Sequence, residues 1–315
     1  MNLRSLRDMT WKERFKKLAP YAAYPAFYLV MFVVFAYVTF PYDALRDRIV
    51  VDFNAEQRKV SAPQELQIDE LSSAFPVGVK MKGVRLLLPA TEPGAAPATL
   101  ALEEAKVRLS LLRLLIFRTA FTFWAQGLGG EAEGDISLGS KEKAVDVELD
   151  GIDVGQIPPL VQALGLPVDG KLSGRVKLDM PEGKASKANG SMSLEIADFA
   201  VGDGKAKVKN MLALPKVNVG ALTLVAEAKD GTLKIQKIAA GGRDVELQGD
   251  GRVSLREMAM ESTVDLYVRF KVNDVYRNKS DVTKSIFGAP GSTQPSVLEL
   301  AEPRMKRAKR EEGFY

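Results

Sequence analysis

The side chains best suited to acid–base or metal chemistry are two pairs of neighbouring carboxylates. Asp150 and Asp153 lie in the run LDGIDVG, and Asp244 and Glu246 lie in RDVEL. In a β-strand, residues two apart share a face, so Asp244 and Glu246 would offer two carboxylates to one cation or one proton. Exposed strand faces carry such charges routinely, and the pairs by themselves favour a structural role.

Other catalytic constellations are excluded by composition. The 315-residue chain contains no histidine and no cysteine, which removes His/Cys zinc sites, thiol nucleophiles and His-based triads. Gly204-Lys205 is not part of a phosphate loop, because position 199 is Phe and neither Ser nor Thr follows the lysine. The sequence therefore predicts a non-enzymatic domain, binding or structural, without a cofactor or a metal.

One uncharged segment near the N-terminus predicts a membrane anchor over residues 18–42. Leu18 to Phe40 would form a helix about 35 Å long, against a hydrocarbon core of about 30 Å. A cleaved signal peptide is the alternative, but its apolar region is shorter and ends in small residues, whereas this run ends in Thr-Phe-Pro-Tyr. The predicted anchor residues are Leu18, Tyr24, Phe27, Leu29, Val30, Phe32, Val33, Val34, Phe35, Val38 and Phe40.

The basic residues before this segment predict its orientation. Residues 1–17 contain six Lys or Arg, of which Arg14, Lys16 and Lys17 lie nearest the anchor. By the positive-inside rule this segment stays cytoplasmic, and the chain after Phe40 lies on the other side of the membrane. The net charge of +4 is accounted for by residues 1–17, so the sequence predicts no nucleic-acid binding by the folded domain.

Residues 43–277 show the period-two alternation of half-buried β-strands. It is clearest in residues 145–149, 172–179, 191–196, 222–229, 232–237, 245–248, 251–255 and 262–272. Asp230-Gly231 and Asn189-Gly190 predict two hairpin turns. The predicted fold is mainly β: a single N-terminal transmembrane helix, then an antiparallel and curved sheet with few short helices.

Helices are predicted only in a few places. Residues 42–53 are typical of a short helix after the anchor, and Ile157–Leu164 has Pro158 in its first turn and Gly165 as its C-cap. Residues 109–117 fit either a buried helix or a strand. Residues 278–315 are polar and basic, which predicts a disordered tail.

The apolar positions of the alternating strands predict one common face. Nothing in the sequence decides whether a second layer covers this face, as in a core, or leaves it open as a groove. The candidate residues are Leu172, Val176, Leu178, Leu194, Ile196, Leu222, Leu224, Leu247, Val253, Leu255, Leu266 and Val268.

The residues around the end of the anchor resemble a known family. The run from Tyr24-Pro25 through Phe40-Pro41-Tyr42 to Leu45-Arg46-Asp47-Arg48-Ile49 is similar to the start of the type II secretion system protein N family (GspN), in its deltaproteobacterial form. Residues 78–86 look like that family's first strand pair, and LSGRVKL at 172–178 is similar to AsmA-like envelope proteins. The specific part of the resemblance covers residues 24–49.

This resemblance implies a location and a function. It implies a Gram-negative inner-membrane protein with a periplasmic β-sheet domain that assembles or bridges a type II protein secretion system, with other secretion subunits as partners. The alternative is an AsmA-like carrier that binds phospholipid in an apolar groove of the sheet. The family has no catalytic residues that carry over to this chain.

Overall fold

The structure is a computed structural model, and it describes most of the chain. The described residues are 11–59, 63–89, 98–110, 119–139, 142–205, 207–208, 212–213, 215–256, 262–290, 292, 296–301 and 314–315. The segment 111–117, predicted as either helix or strand, lies outside them. For Arg14, Lys16, Lys17 and Leu18 only the backbone is described, so their predicted roles stay predictions.

Two helices precede the sheet. Helix α1 spans Trp11–Thr39 and helix α2 spans Tyr42–Gln57. They separate at Pro41, because a proline has no N–H with which to continue the hydrogen-bond ladder of a helix. No single described helix is long and apolar enough to cross a membrane, although Ala23–Thr39 and α2, bent by 60°, meet that requirement as a pair. The predicted single span over residues 18–42 is therefore not supported.

The rest of the chain forms one large antiparallel sheet, which confirms the prediction of a mainly β fold. Twelve strands pair in the order β1-β2-β3-β4-β5-β6-β7-β8-β11-β12-β13-β14, and β9 and β10 form a separate pair. The strands are β1 Glu65–Ser73, β2 Gly78–Leu88, β3 Ala98–Leu109, β4 Thr119–Gly127, β5 Gly130–Leu138, β6 Glu142–Asp153, β7 Val168–Pro181, β8 Asn189–Val201, β9 Lys207–Val208, β10 Leu212–Ala213, β11 Val217–Lys229, β12 Thr232–Gly241, β13 Val245–Ser254 and β14 Thr263–Val272.

The sheet is open: its outermost strands, β1 and β14, do not pair with each other. The sheet is also uncurled, so the predicted curvature is not confirmed. Alternation along a strand specifies which side chains share a face, but it carries no information on how far successive strands rotate.

The two predicted hairpin turns have different outcomes. Asp230-Gly231 joins β11 to β12 with both residues at positive φ (47° and 74°), the conformation that a two-residue type I′ turn requires. Asn189-Gly190 is not a turn, because both residues lie in β8, where Gly190 is paired with Leu178 and Ala228. The turn before β8 is instead at Glu182-Gly183, again with both residues at positive φ.

Short helices lie at the margins of the sheet. Helix α3, Pro158–Leu164, ends at Gly165 in the left-handed region (φ 64°), as predicted. Helices α4 (Asp274–Arg277), α5 (Asp281–Phe287) and α6 (Val297–Ala301) follow β14. Within the segment predicted as a disordered tail, Ser280 and Thr283 form a reciprocal capping box at the start of α5, and Tyr315 is buried.

Candidate functional site

The strand register sorts the side chains of the sheet onto two unlike faces. Residues directly opposite each other in an antiparallel pair lie on the same face. Leu224, for example, is opposite Leu194 on one side and Ile238 on the other, whereas its neighbour Thr223 is opposite Glu195 and Ala239. One face, here called the apolar face, carries the Leu224 set, and the other, the polar face, carries the Thr223 set.

A single cross-strand row shows how far the apolar face extends. Successive register partners from β2 to β14 contain only apolar side chains or glycine, over a width of about 48 Å at roughly 4.8 Å per strand. The row is Val79, Val107, Phe123, Gly134, Val147, Val176, Met192, Ala226, Ile235, Gly251 and Leu266. We call these residues the central row.

The predicted candidate residues lie together on this face. By register, eleven of them are on it, and they are Leu172, Val176, Leu178, Leu194, Ile196, Leu222, Leu224, Leu247, Val253, Leu266 and Val268. Leu255 follows β13 directly, and its N–H donates to the carbonyl of Gly231 at 2.8 Å. The strand register thus places these residues on one face.

No second layer covers the apolar face in the part of the chain that the structure describes. The strands of the sheet contact chiefly their own neighbours, and the one helix that packs extensively on the sheet is α2, against β1. Most large side chains of the face are only half-buried, and Val264, Leu266 and Val268 on β14 are exposed. Of the two possibilities left by the sequence, an open surface and a covered core, the described residues fit the open surface.

The polar face carries ion pairs instead. Glu104 lies between Lys80 (2.8 Å) and Lys106 (2.7 Å), and hydrogen bonds from these two lysines lower its pKa to about 2. Arg175 donates two hydrogen bonds to Asp146, at 2.7 and 2.8 Å, and thereby lowers the pKa of that carboxyl. Such exposed ion pairs contribute little to the stability of the fold, but they make this face of the sheet polar.

Helix α1 presents apolar side chains to its surroundings on all sides. Phe32 and Val38 are 69% and 74% exposed, and Leu29 and Val33, on other sides of the helix, are also exposed. A helix that is apolar all round is stable only in an apolar environment. The remaining anchor candidates with described side chains are exposed as well, and they are Tyr24, Phe27, Val30, Val34, Phe35 and Phe40.

An apolar cavity joins α1 to the apolar face. It has a volume of about 490 Å³ and is lined by Phe32 of α1, by Phe40, which follows α1 directly, and by Val79, Val107 and Phe121 of the sheet. Val79 and Val107 are also the first two members of the central row. The apolar surface of α1 therefore continues onto the apolar face without an intervening polar strip.

One carboxylate of each pair noted in the sequence has a structural role. Asp153 accepts a hydrogen bond from the N–H of Gly155 and caps a short 3-10 turn. Asp244 is buried and accepts from the N–H of Asn218 (2.9 Å) and from Lys279 Nζ (3.2 Å), which docks the segment after β14 onto the sheet. Among the described residues, no group of three or more acidic side chains is placed to hold a metal ion.

Comparisons with protein-family models, with curated proteins and with solved structures gave no match. The resemblance to the type II secretion system protein N family stays a prediction.

Proposed function

We propose that this chain is a membrane-anchored protein that binds lipid acyl chains on the apolar face of its sheet. The observation that carries the proposal is the central row, which runs over eleven strands with no second layer among the described residues. Soluble monomers rarely expose apolar patches larger than a few hundred Å². Each Å² of apolar surface removed from water contributes roughly 25 cal/mol, so an apolar ligand on this face is strongly favoured.

The anchor is part of the same proposal. Exposed apolar side chains surround α1, and basic residues precede it, an arrangement that favours insertion with the N-terminal side in the cytoplasm. The sheet then lies in the periplasm of a bacterial inner-membrane protein. The cavity lined by Phe32, Phe40 and Val79 supports a direct apolar route between the bilayer and the sheet.

A second candidate is the one that the family resemblance implies, a component that assembles or bridges a type II secretion system. It is favoured by the exposed apolar side chains of β14, Val264, Leu266 and Val268, because exposed apolar edge strands are common docking sites for other subunits. In that case the periplasmic partners are proteins, and lipid is bound only by the anchor.

The test compares the same charge on the two faces. Leu224→Lys places an ammonium group on the apolar face between Leu194 and Ile238, and Thr223→Lys places it one residue away on the polar face, opposite Glu195. The intact chains are purified gently from their native membrane, and mass spectrometry reads lipids and proteins together. We expect Leu224→Lys to lose most sheet-bound phospholipid and Thr223→Lys to keep it.

Lipid that α1 retains is the same in both variants, so the difference between them reports on the sheet alone. Circular dichroism of both variants confirms that the strands are intact. Equal lipid in the two folded variants overturns the proposal. Secretion subunits at stable ratios to the chain, with no lipid difference, establish the second candidate instead.

A further inference from the structure

The two outer edges of the sheet are protected to different extents. An edge strand exposes unpaired N–H and C=O groups, to which another strand can add. At the β1 edge, α2 blocks this: the side chain of Asn54 accepts from the N–H of Leu66 (2.8 Å) and donates to its carbonyl (3.2 Å). Arg46 also donates to the carbonyl of Asp69 at 3.1 Å. The β1 edge is therefore sealed by side chains.

The β14 edge is occupied at one position by the Phe314–Tyr315 segment. Phe270 and Tyr315 exchange both of their backbone hydrogen bonds (3.3 and 2.9 Å), the pattern of an antiparallel pair. Their rings stack at 5.6 Å, and the Tyr315 hydroxyl donates to Glu299 at 2.9 Å. Tyr315 is buried by these contacts. The outer edge of β14 thus pairs with a backbone segment at one position in the structure itself.

Among the described residues, none pairs with the outer side of β14 before Phe270. Groups that face outward alternate along a strand, so the outward position of Phe270 places those of Val268, Leu266 and Val264 outward as well. These three residues are 44%, 41% and 61% exposed, and no described residue pairs with them on that side.

This stretch of β14 is self-complementary. If two copies pair antiparallel about Leu266, Leu266 faces Leu266 of the other copy and Val264 faces Val268. All three pairs then use outward-facing groups, giving about six backbone hydrogen bonds. The apolar sides of both strands also lie on the same face, so the apolar face of one copy continues into that of the other.

We propose that β14 pairs with β14 of a second copy of this chain, in the register centred on Leu266. Tyr315 limits that register on one side. A shift that centres the pair on Val268 would bring Leu266 opposite Phe270, whose outward groups Tyr315 already occupies. Tyr315 is thus a stop that limits the pairing to residues 263–269.

The chain has no cysteine, so single introduced cysteines report the pairing directly. Directly opposed residues of a hydrogen-bonded antiparallel pair have Cα atoms about 5.5 Å apart, within the range of a disulfide. We expect Leu266→Cys in the intact chain to form a disulfide-linked dimer in native membranes under mild oxidation. Thr263→Cys, exposed on the same strand, is the matched control; it faces Arg269 of the other copy and should remain monomeric.

Two further variants test the pairing of β14 and the role of Tyr315 as its limit. Leu266→Pro removes an outward N–H without removing a bond to β13. It is tested in a chain that carries both Val264→Cys and Val268→Cys, which face each other across the proposed pair, and it should abolish their disulfide-linked dimer. Val268→Cys alone should crosslink only in a chain that lacks Phe314 and Tyr315, at least tenfold more than in the intact chain.

Absence of a Leu266→Cys dimer, or equal crosslinking of Thr263→Cys, overturns the proposal. A disulfide from Val264→Cys or Val268→Cys to a different protein also overturns it and assigns the edge to another partner. The outcome does not depend on whether the apolar face binds lipid.

Discussion

The apolar and polar faces of the sheet are built on the same strands but are stabilised in different ways. On the polar face, several charges find partners within the chain, as Glu104 does between Lys80 and Lys106. On the apolar face, side chains such as Leu224 contact their cross-strand neighbours, but no layer above them is present in the described residues. The polar face therefore finds partners within the chain, whereas the described residues leave the apolar face open.

The largest difference between the faces is expected for a polar residue placed in the central row. Ile235 is 7% exposed, and Ile235→Asn would leave an amide among apolar neighbours without a hydrogen-bond partner. We expect a loss of about 3 kcal/mol in the free energy of unfolding, measured by urea denaturation of the intact chain in detergent. Lys234→Asn, on the polar face, should cost less than about 0.5 kcal/mol. Equal losses would contradict the assignment of the faces.

A smaller effect is expected for truncation of a half-buried side chain on the apolar face. Leu-to-Ala substitutions in a fully surrounded core cost about 2–5 kcal/mol. Leu224→Ala should cost only about 1–2 kcal/mol without lipid, because one side of Leu224 already faces away from protein. Added phospholipid should increase this cost, since bound acyl chains provide the missing contacts. A cost above 4 kcal/mol that does not respond to lipid would indicate a covered core.

The smallest effect is expected on the polar face, and it depends on pH. The pKa of Glu104 is lowered to about 2, so its ion pairs stabilise the fold fully above the ordinary pKa of a glutamate, and this contribution is lost as the pH falls towards 2. Glu104→Gln should lower the urea midpoint slightly at pH 7 and by clearly less near pH 2. Glu103→Gln, one residue away and exposed, is the control and should change little at either pH. A difference that grows on acidification would contradict this sign.

The sequence was sufficient to predict the longer strands from β6 onward and the side chains that share a face on them. Alternation alone placed residues such as Leu172 and Val268 together, and Asp230-Gly231 gave a correct hairpin. Asn189-Gly190 misled because the same dipeptide is also tolerated within a strand, where Gly190 lies close to the carbonyl of Lys177. A dipeptide signal carries no information on which residues lie across from it.

Features that depend on distant contacts could not be predicted. An apolar face alternates in the same way whether or not a second layer covers it, so the open surface appears only in the structure. The seal that Asn54 forms on Leu66 joins residues twelve apart through a side chain that also suits a helix surface. The burial of Tyr315 depends on Phe270 and Glu299, which are far away in a sequence that otherwise resembles a disordered tail.

The strand order has a consequence for how the chain folds. Each strand of the sheet is paired with the one before it in sequence, and the only excursion is the short β9–β10 pair between β8 and β11. Contacts of this kind have short loop closures, which favours rapid folding. Since domains begin to fold from the N-terminal side during synthesis, each new hairpin can zip onto a sheet that already exists. The number of hairpins can then change in evolution without a new topology. Each added or lost hairpin changes the distance over which the sheet extends from α1.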